Sequence, residues 1–146
     1  MSTEANKALV QRFYAEIDRG NIDIIDELID EHYIDHDPPP FPVAPGREGV
    51  KESFRLFQEA TPGYHKIEDQ IAEGDRVVTR LTSIGRHEGD LPGAPRTGNE
   101  MKMTSITIHR VANGRLMEKW SEKDVMALLI AIGKMKPPMQ TEQPDA

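Results

Sequence analysis

The sequence predicts an α+β fold, with helices first and an antiparallel meander after them. Apolar residues recur at helical spacing from Glu4 to about Ala60, then at every second position from Tyr64 to Lys123. Within the alternating part, Asn113-Gly114 is the strongest short hairpin signal a sequence can carry. The 146 residues make one domain, expected over 1–133, with a loose, proline-containing tail over 134–146. A chain of this size buries roughly 70 % of its unfolded surface, enough for a core and a ligand cavity.

The elements follow in order. Leu9, Val10, Phe13, Tyr14 and Ile17 give one apolar side to a helix from Glu4 to Arg19, which Gly20 ends. Asn21 is placed to cap a second helix with Ile22, Ile25 and Ile29 along one side. A short extended piece, Tyr33 to His36, leads into Asp37 to Gly46, where five prolines forbid a helix. A third helix runs from about Arg47 to Ala60 and presents Val50, Phe54 and Phe57. Strands are expected at Tyr64–Ala72 and Arg76–His87, joined at Gly74-Asp75, then at Glu100–Val111 and Arg115–Lys123. The apolar run from Val125 to Ile132 reads as a packed terminal helix stopped by Gly133.

A two-residue turn at Asn113-Gly114 sets the last hairpin's register, provided no bulge intervenes. Ala112 then faces Arg115, His109 faces Glu118, Thr107 faces Trp120, Ser105 faces Glu122 and Met103 faces Asp124. The four pairs from His109 to Met103 fall on one face, where Met101, Met103 and Trp120 would make an adaptable apolar wall.

Composition excludes several classes of function. The formal net charge of −7 and the lack of a basic stripe argue against a nucleic-acid partner. Without cysteine there are no disulfides, thiolate metal sites or cysteine nucleophiles. No apolar run approaches ~18 residues and the N-terminus lacks a signal core, so a cytoplasmic protein without membrane contact is expected. His32 and His36 are the one spacing that suggests a metal. Four residues of extended chain span ~13 Å, too far for one ion, and no metal is expected.

Asp124 is the candidate acid. It follows Trp120 by four residues, on the same side of a strand, where a sheet meets a helix. Burial beside an aromatic ring would raise its pKa and suit it to proton transfer. Asp is equally among the best residues for N-capping the helix that follows.

Seven pieces in this order resemble one family. They are Arg12-Phe13-Tyr14, Tyr33-Ile34-Asp35-His36-Asp37-Pro38, Pro45-Gly46-Arg47-Glu48-Gly49 and Ala72-Glu73-Gly74-Asp75-Arg76-Val77. Gly85-Arg86-His87-Glu88-Gly89 follows, then Glu118-Lys119-Trp120 with Asp124, and the Ala127-Leu128-Leu129 helix. From about Asn6 to Gly133 the chain is similar to the SnoaL-like polyketide cyclases of the nuclear-transport-factor-like α+β cone superfamily. The resemblance implies a strongly curved, cystatin-like sheet wrapped around helices, an apolar pocket and a homodimer. It also implies intramolecular aldol closure of a ring without metal or cofactor, the acid/base being the aspartate matched by Asp124. His36 and His87 match family histidines near the pocket, while His109 stands where the family carries an apolar residue.

The expected site is therefore catalytic Asp124 with His36, Trp120, Tyr14, Met103, His87 and His109 around an apolar, aromatic polyketide-like substrate. Each has a plain structural alternative: loop anchoring for His36 and His87, core packing for Tyr14, Trp120 and Met103, a surface cross-strand pair for His109 with Glu118. Two other functional classes stay open. One is a cofactor-free isomerase or hydrolase of the same fold, against which no strand carries Arg-x-Asp and Met101, Met103 and Ser105 are uncharged. The other is a non-catalytic binding or assembly module.

Overall fold

The computed structural model describes residues 2–139. The expected tail thus lies partly outside the described residues, at 140–146. Helix α1, Thr3–Asp18, starts where the Ser2 hydroxyl accepts from the Ala5 N–H at 3.0 Å, and it buries Val10, Phe13, Tyr14 and Ile17. The expected second helix is only α2, Ile24–Leu28. Asn21 does not cap it, because its side chain donates to Glu16 instead. Ile29 leaves the helix and opens strand β1, Ile29–Asp35.

Helix α3, Gly46–Ala60, follows the proline loop. Gly49 lets that loop lie on the helix: a Cβ there would meet the Ala44 carbonyl oxygen at 1.8 Å. Four long strands come next: β2 (Gly63–Glu73), β3 (Arg76–Arg86), β4 (Glu100–Ala112) and β5 (Arg115–Lys123). Helix α4, Val125–Ala131, is the last regular element among the described residues.

The curved, unclosed sheet has the order β1-β5-β4-β3-β2. Pairings from β2 to β5 are antiparallel, as the meander predicts. β1 instead pairs parallel with β5, which the local pattern could not show. Its sequence is mostly polar, with only Ile29 and Tyr33 buried, as an edge strand permits.

The last hairpin turns at Asn113-Gly114 with positive φ at both residues (53° and 71°), the geometry its two-residue turn needs. Ala112 faces Arg115 and Val111 faces Leu116, as expected. A bulge at Met117 then shifts the register by one, so that Arg110 faces Glu118, His109 faces Lys119, Thr107 faces Ser121 and Ser105 faces Lys123. Because side chains alternate, this one residue turns the rest of β5 over.

The main core joins α1, α2 and Tyr33 of β1 to the inner face of the sheet through Val77, Leu81, Val111 and Leu116. A second cluster packs α4 through Leu128, Ala131 and Ile132 against Ala60, Leu91 and Met101. None of the described helices is long and apolar enough to cross a membrane.

Candidate active site

Between α1, α3 and the inner face of the sheet lies a cavity of about 770 Å³. The proline loop (Pro38, Pro39, Pro40, Val43) and the first turn of α4 (Val125, Leu128) complete its wall. Phe13, Phe54, Phe57, Leu81, Met101 and Met103 make much of the lining apolar. The volume and the largely apolar lining are those of a small-molecule pocket.

One side of this cavity is polar. Ser105, Thr107 and His109 of β4 line it with their register partners Lys123, Ser121 and Lys119 of β5. Thr107, Ser121 and His109 are 4 %, 6 % and 1 % exposed. Among the described residues, Thr107 Oγ1, Ser121 Oγ and His109 Nδ1 have no hydrogen-bond partner. Buried polar atoms rarely stay unpaired, so three on one cavity wall mark a place for ligand polar atoms.

Burial, and then the charge of Lys119, lowers the His109 pKa to about 3, so this imidazole is neutral at pH 7. The Tyr14 ring lies 6.4 Å from it. Burial raises the Tyr14 phenol above its ordinary range, with Asp35 and Asp18 pushing the same way and the nearby Thr107 hydroxyl opposing them. The Tyr33 phenol is raised for the same leading reason, so both stay protonated donors. Lys119 pairs with Asp35 at 3.3 Å, and Lys123 donates to the Asp37 carbonyl. The Lys123 ammonium is held below its usual range by burial and by Lys119. Asp37 in turn accepts from the Ser121 N–H at 2.7 Å, tying the end of β1 to β5.

Of the residues expected from sequence, Tyr14, Met103 and His109 line the cavity. His36, Trp120, His87 and Asp124 do not, and each has a physical reason. The bulge at Met117 sends Glu118 and Trp120 to the outer face. There the His36 ring stacks on Trp120 at 4.7 Å and 3°, its Nε2 lies 2.8 Å from Glu118 Oε2, and the Arg76 guanidinium covers the indole at 4.9 Å. Glu118 therefore pairs with Arg110 and His36, not with His109, and these two bonds lower its pKa.

His87 is fully buried, but as a loop anchor. Its Nδ1 accepts from the Thr97 N–H at 3.2 Å, and Thr97 Oγ1 donates to the Ala131 carbonyl of α4 at 3.0 Å. Asp124 is exposed, and its Oδ1 accepts from the Ala127 N–H at 3.0 Å. That is the N-cap alternative, so the expectation of a pocket acid at this position is corrected.

Sequence reading missed Asp18, Asp35, His65, Lys119 and Lys123, all of which line the cavity. For the two lysines the signal was the alternation of β5 itself, which pointed the wrong way once the bulge was unknown. Among the described residues there is no group of three or more His, Cys, Asp or Glu arranged to hold a metal.

The comparisons agree with this architecture. IdmH of Streptomyces antibioticus is similar to the chain at 27 % identity and a TM-score of 0.75, over 88 % of this chain and 98 % of that one. TsrD of Streptomyces laurentii shares the fold at 24 % identity and a TM-score of 0.81, over 92 % and 99 %. A SnoaL-like polyketide cyclase of Agrobacterium tumefaciens shares it at 14 % identity and a TM-score of 0.71, over 88 % and 96 %. No curated protein matches the chain. The family model for SnoaL-like polyketide cyclases matches residues 8–132, the stretch that builds the sheet, the cavity and the polar wall. The chain belongs to the SnoaL-like polyketide cyclase family.

Proposed function

We propose that this protein closes a ring in an apolar, aromatic polyketide-like molecule by cofactor-free acid/base chemistry of the aldol type, as a cytoplasmic homodimer. The observation that carries the reading is the polar wall of a largely apolar cavity: among the described residues the Thr107 and Ser121 hydroxyls and His109 Nδ1 have no hydrogen-bond partner and are free to bond a ligand oxygen. Membership of the family supports this class of reaction.

The chemistry asks little of the protein beyond placement. A C–H between two carbonyls is acidic enough for a positioned weak base. Its bonding pair passes to the carbonyl oxygen, and the enolate oxygen rests against the Thr107 and Ser121 hydroxyls and the neutral His109 ring. Lys119 and Lys123 on the same wall favour the negative charge. The enolate carbon then attacks the second carbonyl. The new C–C bond forms, the carbonyl pair becomes an alkoxide, and the proton returns to it, so substrate and product are isomers. Folding the chain against Phe54, Phe57 and Met103 brings the two reacting carbons together.

The test is incubation with an aromatic β-keto ester bearing a second ketone on a neighbouring ring position. The expected result is a cyclised product of unchanged mass, with kcat/KM lowered at least about tenfold in His109→Gln. Saturable binding of the ester without any cyclised product would overturn the reading in favour of a non-catalytic binding module.

A further inference from the structure

One more pair of side chains faces the same cavity and has no part in the polar wall. Asp18 ends α1, and His65 lies near the start of β2, 47 positions later. Asp18 Oδ1 is 2.6 Å from His65 Nδ1, and Asp18 Oδ2 accepts from the His65 backbone N–H at 2.9 Å. One carboxylate thus holds both the ring and the strand that carries it. The rings of Tyr14 and Phe54 lie 5.1 and 5.9 Å from the imidazole. Both side chains are largely covered, at 19 % exposure for His65 and 22 % for Asp18, and both line the cavity.

A carboxylate bonded at Nδ1 fixes the tautomer: Nδ1 carries the proton and donates it, and Nε2 keeps a lone pair. Among the described residues, Asp18 is the one side chain that bonds this ring. The arrangement is an oriented base with an open nitrogen, set in an apolar cavity. Asp35 is less free for this work because Lys119 engages it.

We propose that Asp18 and His65 form a proton-transfer site, in which His65 Nε2 takes a carbon-bound proton from an apolar carbon acid held in the cavity. Asp18 positions the ring and stabilises the imidazolium that forms. The C–H bond breaks, its electron pair moves into the acceptor of the carbon acid, and the proton rests on Nε2 until it passes to product or water. The assignment rests on the cyclase reading only for the identity of that carbon acid, a carbon between carbonyls. The generic activity stands on the cavity and the pair.

A probe that needs no natural substrate tests it. In 5-nitrobenzisoxazole, removal of the ring C–H proton by a base breaks the N–O bond and releases 2-cyano-4-nitrophenolate, which absorbs visible light. The expected result is elimination at least about tenfold faster with the wild-type protein than with His65→Gln. In His65→Ala, added imidazole restores it. For Asp18, the expected result is that Asp18→Asn slows elimination and that nitrogen-15 NMR of the His65 ring loses its Nδ1–H signature. A salt link that merely tied α1 to β2 would change thermal stability and the ring's NMR signature but leave the elimination rate unchanged.

Equal elimination rates in wild type and His65→Gln, with both folded by circular dichroism and both binding the probe, would overturn the proposal. So would a wild-type His65 protonated at Nε2 and bare at Nδ1. His65-dependent elimination in a protein that fails to cyclise the β-keto ester supports the pair and removes the cyclase reading alone.

Discussion

His109 places an ionisable ring in the interior at 1 % exposure, with Nδ1 unpaired, on the wall where substrate oxygen is proposed to bind. That placement has a consequence for stability. The folded state keeps the ring neutral down to a pKa of about 3, whereas the unfolded chain takes up a proton below about its ordinary 6.5. Its contribution is therefore whole above pH 6.5 and is lost progressively as the pH falls toward 3, because only the unfolded state binds the proton there. Each pH unit in that window costs up to ~1.4 kcal/mol. Between pH 7 and pH 5, wild type should lose about 2 kcal/mol more than His109→Gln, as read from urea unfolding midpoints. Equal losses would mean that the ring is charged or wetted in the folded protein. The residue scale also shows what alternation alone can reveal. Tyr14, Met103 and His109 line the cavity because a helical period and an unbroken strand put them on the inner side. Asp18 and His65 were not found because nothing local joins two residues 47 positions apart; their meeting is a property of α1 crossing β2.

Asp124 shows how an element's end decides a residue's role. Helix α4 has seven residues, too short to persist without docking and capping. Leu128, Ala131 and Ile132 supply the docking, and the Asp124 carboxylate supplies the cap through the Ala127 N–H. Asp124→Ala should therefore destabilise the protein by about 1 kcal/mol, whereas Asp124→Asn, which caps as well, should change little. Ring closure should survive in Asp124→Asn, since this side chain is exposed and outside the cavity wall. Chemical denaturation and the cyclisation assay measure the two effects separately; loss of turnover in a stable Asp124→Asn would return the catalytic role to this residue. Helices α1 and α3 and the four long strands were readable because their periods are long and clean, whereas α2 is too short for its period to set its ends. The bulge at Met117 was not, since it adds one residue to a run whose alternation looks regular on either side. That single insertion accounts for both Trp120 outside the cavity and Lys119 and Lys123 within it.

At the scale of the molecule, the sheet has two unlike faces. Its inner face surrounds the helices and the cavity. On its outer face an apolar row runs straight across four strands, because Ile71 pairs with Val78, Val78 with Ile108, and Ile108 with Trp120. Ile71 remains 64 % exposed, and Ile106 beside the row 50 %. A contiguous apolar row on a solvated sheet face is what an association surface needs, and the charged groups around it (Arg76, Arg80, Arg110, Glu118) can set orientation. A second copy of the chain is the partner that the proposed homodimer puts there, outer face against outer face. A closed twofold pairing uses the same patch twice, so one charge introduced at its centre is felt twice. Ile108→Glu would place a carboxylate in the middle of the row and, in the pair, near its own copy. Sedimentation of the wild-type protein should then give twice the chain mass, and of Ile108→Glu the chain mass alone. The cavity lies on the opposite face, so the monomeric variant should still bind the β-keto ester with an affinity near that of wild type. A wild-type protein that sediments as a monomer at high micromolar concentration would leave the row without this partner. An Ile108→Glu variant that stays dimeric would put the interface on another face of the molecule.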